Sequence, residues 1–140
     1  MNYRERFCGY LIPPVTGFYT FWMVSGNSSE LWLSADKTPA RKAKIAFTPA
    51  PANPNELPFT WNWALDLNGG SANQGRGDWH IFASQKSAPQ WLVAGQEYYV
   101  EARHEVSPGD WIGVLWAKPG EDTVVPSQVI PGKFLAPLFE

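Results

Sequence analysis

Apolar and polar positions alternate along most of this chain, and a period of two predicts strands, because successive strand side chains point to opposite faces. From Arg4 to Leu11, Phe7, Gly9 and Leu11 share one face and Cys8, Tyr10 and Ile12 the other. Pro13-Pro14, which lack the amides a ladder needs, end that run. Phe18 to Ser25 sets Tyr19, Phe21 and Met23 against Phe18, Thr20, Trp22 and Val24, so this strand is expected to be covered on both faces. The polar turn SGNSS then leads into Leu31-Trp32-Leu33, with Leu31 and Leu33 facing inward, and predicts a hairpin with the preceding strand. A basic connection from Pro39 to Lys44 runs into a further short strand, Ala43 to Phe47.

The middle of the chain breaks this rhythm. Thr48 to Pro58 carries four prolines, Trp61, Trp63, Leu65 and Leu67 alternate within Thr60 to Asn68, and Gly69 to Asp78 is rich in glycine and polar residues. A connection this long inside a compact domain is most often functional or disordered, and its two tryptophans favour function. Regular alternation then returns. Trp79 to Ala83 and Gln90 to Leu92 are expected as short strands, Ala94-Gly95-Gln96 as a turn and Glu97 to Glu105 as a strand. After a Pro-Gly loop from Val106 to Asp110, Trp111 to Ala117 sets Ile112, Val114 and Trp116 against Trp111, Gly113 and Leu115. Pro131-Gly132 closes the chain before Phe134 and Leu135. Short strands at this spacing, with no helical period between them, predict an all-β sandwich or barrel.

Composition narrows the function more than the fold. The 140 residues suit one domain, 1–140, and 12 Gly with 13 Pro agree with many tight turns. Formal charge is -2 and the 11 Lys and Arg are scattered, so no phosphate-tracking stripe marks a nucleic-acid partner. No apolar run approaches the ~20 residues of a membrane-spanning helix, and no signal-peptide core opens the chain. The single Cys8 has no internal disulfide partner, and no Cys/His spacing suits zinc. With 8 Trp, 8 Phe and 5 Tyr, some rings are expected at the surface or in an interface.

Two blocks carry a resemblance. GYLIPPVTGFYTFWMVSGNSSELWLSADKTP, Gly9 to Pro39, and SQKSAPQWLVAGQEYYVEARHEVSPGDWIGVLWAKPG, Ser84 to Gly120, resemble in order the opening and later blocks of the protective-antigen-fourteen domain family. VIPGKFLAP, Val129 to Pro137, is similar to its closing strand. The resemblance implies a jelly-roll-like β-sandwich, here with short strands and one long Pro/Gly-rich insertion. It also implies noncatalytic glycan binding in an extracellular or cell-surface setting, including bacterial surface proteins, or beside a polysaccharide-degrading enzyme. Members that bind sugar through calcium place two adjacent aspartates in the first loop. Gly26 and Asn27 stand there in this chain. Calcium wants about 6 to 8 hard oxygens, with affinity set by the carboxylates among them, so Asn27 and the later Asp110 imply weak calcium binding or none. The family usually has one or two strands before the segment that begins here near Arg4. The chain therefore reads as a fragment or subunit whose sheet edge is completed by something else, another copy included.

The expected ligand site combines three segments. Asn27 and Ser28 lie in the first loop, Asp110 and Trp111 in the later one, and Trp61, Trp63, Asp66 and Asn68 in the long insertion. Rings that pack on the apolar face of a sugar, beside amides and carboxylates that take its hydroxyls, are what glycan binding without a strong metal requires. Other motifs weigh less. Arg76-Gly77-Asp78 spells the tripeptide that integrins recognise but is short enough to arise by chance, and Asp78 more simply caps the turn into Trp79. Glu101 and Glu105, four apart on one strand face, could pair as glycosidase carboxyls, yet with Arg103 they read as ordinary solvated positions. His80 and His104 lack a recognisable nucleophile motif, so an enzyme is not expected. The alternative to glycan binding is a structural or assembly domain of a surface fibre or larger secreted protein, packing through its aromatic surface and open sheet edge.

Overall fold

The computed structural model describes residues 5–25, 28–49, 79, 82–105 and 112–137. They form two antiparallel sheets stacked as a sandwich. In chain order the strands are β1 (Glu5–Leu11), β2 (Gly17–Ser25), β3 (Ser29–Ser34), β4 (Lys42–Thr48), β5 (Gln90–Leu92), β6 (Tyr98–His104), β7 (Ile112–Ala117), β8 (Gln128–Val129) and β9 (Leu135–Pro137). One sheet runs β4-β3-β6-β1-β9 and the other β5-β2-β7-β8. The all-β sandwich expected from alternation is therefore present. The Pro/Gly-rich insertion lies outside the described residues from position 50 onward.

β2 is the clearest product of its pattern. Tyr19, Phe21 and Met23 enter the core between the sheets with Leu11, Leu31, Leu33 and Trp116. Trp22 and Val24, on the reverse face, pack with Leu115, Ala117 and Trp79, the Trp22 and Trp79 rings meeting edge to face at 6.2 Å. A strand buried on both faces must be apolar at nearly every position, and β2 is so from Tyr19 to Val24 apart from Thr20, while Phe18, expected to be covered, stays exposed.

Three local expectations are corrected. β2 and β3 do not form a hairpin: β3 pairs with β4 and β6, while β2 pairs with β5 and β7, so the polar turn carries the chain from one sheet to the other. Both strands have an apolar inner face, and placing them on opposite sheets lets those faces meet across the core. Ala83 does not end a strand but opens a 3-10 turn, Ala83–Gln85. The buried Gln85 amide explains this, since it accepts from the Phe82 amide at 2.8 Å and donates to the Met23 carbonyl at 3.1 Å, taking groups a ladder would otherwise pair. Glu101 is not solvated. Its side chain is fully buried on the outer face of the larger sheet.

Gly17 opens β2 where no larger residue fits. Its φ is +154°, and a Cβ there would lie 2.6 Å from Cγ of Pro119. Gly17→Ala is expected to cost about 1–3 kcal/mol, as an overpacked and strained position does, read as a lower urea midpoint with an unchanged slope.

Candidate functional site

Six strand ends meet at one end of the sandwich. β2 finishes at Ser25 opposite Ile112 of β7, while Ser29 of β3 stands opposite both Thr48 of β4 and His104 of β6, which in turn faces Glu5 of β1. The three segments named from sequence therefore leave the described framework from this one end: 26–27 after Ser25, 50–78 just beyond Thr48, and 106–111 after Glu105. Small hydroxyl residues suit such a crowded corner. Ser25, Ser28, Ser29 and Thr48 are all fully buried there.

Hydrogen bonds tie the first and later loops together at their bases. The Ser28 hydroxyl donates to Oε2 of Glu105 at 2.8 Å, and the Glu105 amide donates to the Ser28 carbonyl at 3.0 Å. Ser25 Oγ donates to Ser29 Oγ at 2.7 Å, which braces the crossing between sheets. His104 Nδ1 lies 3.9 Å from Oε2 of Glu5. Of the residues expected to bind ligand, Ser28 is thus placed at the loop base. Asn27, Trp61, Trp63, Asp66, Asn68, Asp110 and Trp111 lie outside the described residues, as do Arg76-Gly77-Asp78 and His80. Glu105 was missed as a loop-end group. Its place as the last alternating residue before a Pro-Gly loop was the available signal.

The residues expected as calcium ligands, Asn27 and Asp110, lie outside the described residues. The Ser25 and Ser28 hydroxyls are engaged by Ser29 and Glu105, and among the described residues no three His, Cys, Asp or Glu gather as metal ligands. Among the described residues, Glu105 brings one carboxylate to this end.

The outer face of the larger sheet holds a separate polar network centred on Glu101. Its carboxylate accepts from the Tyr99 hydroxyl at 2.6 Å, from Lys42 Nζ at 3.1 Å and from Arg103 Nε. Trp32 stands beside it on β3, with the Arg103 guanidinium 4.9 Å and Lys42 Nζ 5.8 Å from its ring centroid. The indole N–H of Trp32 donates to Glu30 at 2.9 Å, and Glu30 also pairs with Lys44 at 3.5 Å. Burial pushes the Glu101 carboxyl up, but the bonds from Tyr99, Arg103 and Lys42 outweigh it and hold the group below the usual carboxylate range. Tyr99 moves the other way: burial and the adjacent Glu101 charge raise its phenol well above 10. The two glutamates that share a strand face are therefore committed to different partners.

Between the sheets lies a cavity of about 490 Å³. Among the described residues its walls include Phe7, Leu31, Val100, Ile112 and Val114, so it presents few groups for sugar hydroxyls.

The chain is similar to parts of much larger proteins. It is 31% identical over 117 residues to the mouse N-acetyl-beta-glucosaminyl-glycoprotein 4-beta-N-acetylgalactosaminyltransferase 1, a match covering 82% of this chain and 10% of that protein. It is 30% identical over 103 residues to dog fibrocystin, covering 73% of the chain and 2% of fibrocystin, and 29% identical over 124 residues to the mouse protein, covering 84% and 3%. The chain thus spans a tenth or less of the length of these curated relatives. No protein-family model matches the chain, and no solved structure matches it significantly. Among the described residues, no helix is long and apolar enough to cross a membrane.

Proposed function

We propose that this chain is a noncatalytic carbohydrate-binding module of the protective-antigen-fourteen type, one extracellular domain of a larger protein, taking glycan at the loop end. The observation that supports this reading is that the described residues Ser25, Ser28, Thr48 and Glu105, from which the three named segments continue, stand at one end, with Ser28 and Glu105 hydrogen-bonded. In it, Trp61 and Trp63 stack on the sugar, while Asn27, Ser28, Asp66, Asn68 and Asp110 reach its hydroxyls beside Trp111. A relative whose name places it in glycoprotein glycan synthesis, matched over a tenth of its length, is in keeping with an accessory glycan-binding role.

Calorimetric titration against a broad glycan set, with calcium or with a chelator, tests the proposal. At least one glycan is expected to bind. Replacing Trp61 and Trp63 together by Ala is expected to weaken it at least about tenfold, the scale of losing two stacked rings. The chelator is expected to change the affinity only slightly, because the donors are mostly neutral. Silence across the whole set would sink the reading.

A second reading, assembly within a larger protein, is favoured by the apolar cavity. Phe7, Val129 and Leu135 line it and stay 53%, 50% and 43% exposed, and among the described residues β8 and β9 end their sheets. A neighbouring domain or second copy supplying an apolar strand would cover them. Sedimentation of the isolated chain against the longer protein separates the two readings.

A further inference from the structure

We infer that Phe18 and Trp91 form a second sugar-stacking corner, at the end of β2 remote from the loop end. The inference rests on the glycan-binding reading for its ligand class. Phe18 and Trp91 stand directly opposite each other on neighbouring strands, β2 and β5, and β5 ends its sheet among the described residues. Phe18 shares its face with Trp22 and not with Tyr19 and Phe21, so it points away from the core between the sheets. The two rings stay 59% and 57% exposed, with centroids 5.0 Å apart and planes at 70°.

Exposed rings of this size are ordinarily covered, yet here the backbone holds them in the open. Turns on both sides are locked together: the Gly95 amide donates to the Pro13 carbonyl at 2.9 Å and the Ala94 amide to Thr16 Oγ1 at 2.9 Å. The Tyr19 hydroxyl donates to the Val15 carbonyl at 2.6 Å, fixing the strand next to Phe18. A corner set in place before binding loses little freedom when a ligand arrives.

Its size and charge select the ligand. Half-exposed, the two rings offer roughly 200 Å² of apolar surface, against about 800 Å² that each partner contributes to a stable protein interface. A nucleic acid would need cations along its phosphates, and the chain carries a net charge of -2 with no basic stripe. A sugar ring fits both limits, with its C–H face on one aromatic plane and its rim against the other ring. Phe18 lies seven residues before Ser25 along one strand, about 23 Å away at ~3.3 Å per residue, so the corner and the loop end contact different sugars. On a polymeric glycan the two contacts reinforce each other.

The test follows the Trp91 indole N–H signal by NMR while mannohexaose, cellohexaose and chitohexaose are added, and measures retention on the matching polysaccharides. The signal is expected to shift with at least one hexaose. Trp91→Ala and Phe18→Ala, surface variants whose melting temperatures should match the parent, are expected to lower retention about tenfold. A Trp91 signal unmoved by all three, or one that shifts only with protein concentration as in self-association, overturns the inference. The Trp61/Trp63 double variant separates it from the loop-end reading. Binding lost there with Trp91 silent removes only the corner, whereas a Trp91 shift with that variant binding normally keeps the corner and removes the loop end.

Discussion

Glu101→Ala is expected to lower the unfolding free energy by about 3 kcal/mol, the lower end of the cost of breaking a buried ion pair. The carboxylate is fully buried, while side chains of its partners Lys42 and Arg103 keep 24% and 23% exposure, so water recovers part of the loss. Ala also leaves the Tyr99 hydroxyl without its acceptor and removes the charge that holds two cations against Trp32. Glu101→Gln retains an acceptor and is expected to cost less. The pH dependence has a definite sign. Because the folded carboxyl titrates below its ordinary 4.5, its contribution is complete above that pH and disappears as pH falls through the lower folded value. Tyr99, raised in the folded state, contributes below pH 10, and that contribution is lost as the medium becomes more alkaline. Urea unfolding of the parent and of Glu101→Gln from pH 7 to pH 3 checks this. Equal acid sensitivity in both would remove Glu101 from the account.

Trp116→Ala is expected to cost about 3–5 kcal/mol, the range for truncating a large core aromatic. The ring is fully buried, 5.3 Å from Tyr19 and 5.5 Å from Phe134 between centroids, and joins β7 to β2 and to the turn before β9. Its indole nitrogen is buried with no hydrogen-bond partner among the described residues. Trp116→Phe removes that costly N–H while keeping most of the apolar volume, so a loss of only roughly 1–2 kcal/mol is expected. Thermal and urea unfolding of both variants decide the point. A Phe variant as unstable as the Ala variant would mean that the indole N–H matters after all.

Particular residues show how far the chain can be read before its fold is known. The inward-facing Leu31, Leu33, Trp116 and the two-faced burial of β2 were legible, because a strand's period of two acts between near neighbours. β8 carries no such signal, since two residues are too short to alternate. Glu101 and Glu105 looked alike in sequence, as charged positions on one strand face. Only their neighbours distinguish them: Lys42 comes from β4, 59 residues away, and Ser28 from the other side of the crossing, 77 residues away.

The same contrast holds for the candidate sites. Turn positions at Ser25 to Ser29 and after Glu105 follow from small and polar residues between apolar runs, and the identities of Gly26 and Asn27 can be read from the chain directly. That Ser28 and Glu105 meet at one end, and that Phe18 and Trp91 touch at the other, depends on which strands pair. By itself the sequence determined most of the strands, the faces their side chains take and the all-β class, since these arise from local alternation and turn chemistry. The tertiary structure decided the sheet that each strand joins, the burial of Glu101 and the meeting of Ser28 with Glu105, because those depend on pairings between residues far apart in the chain.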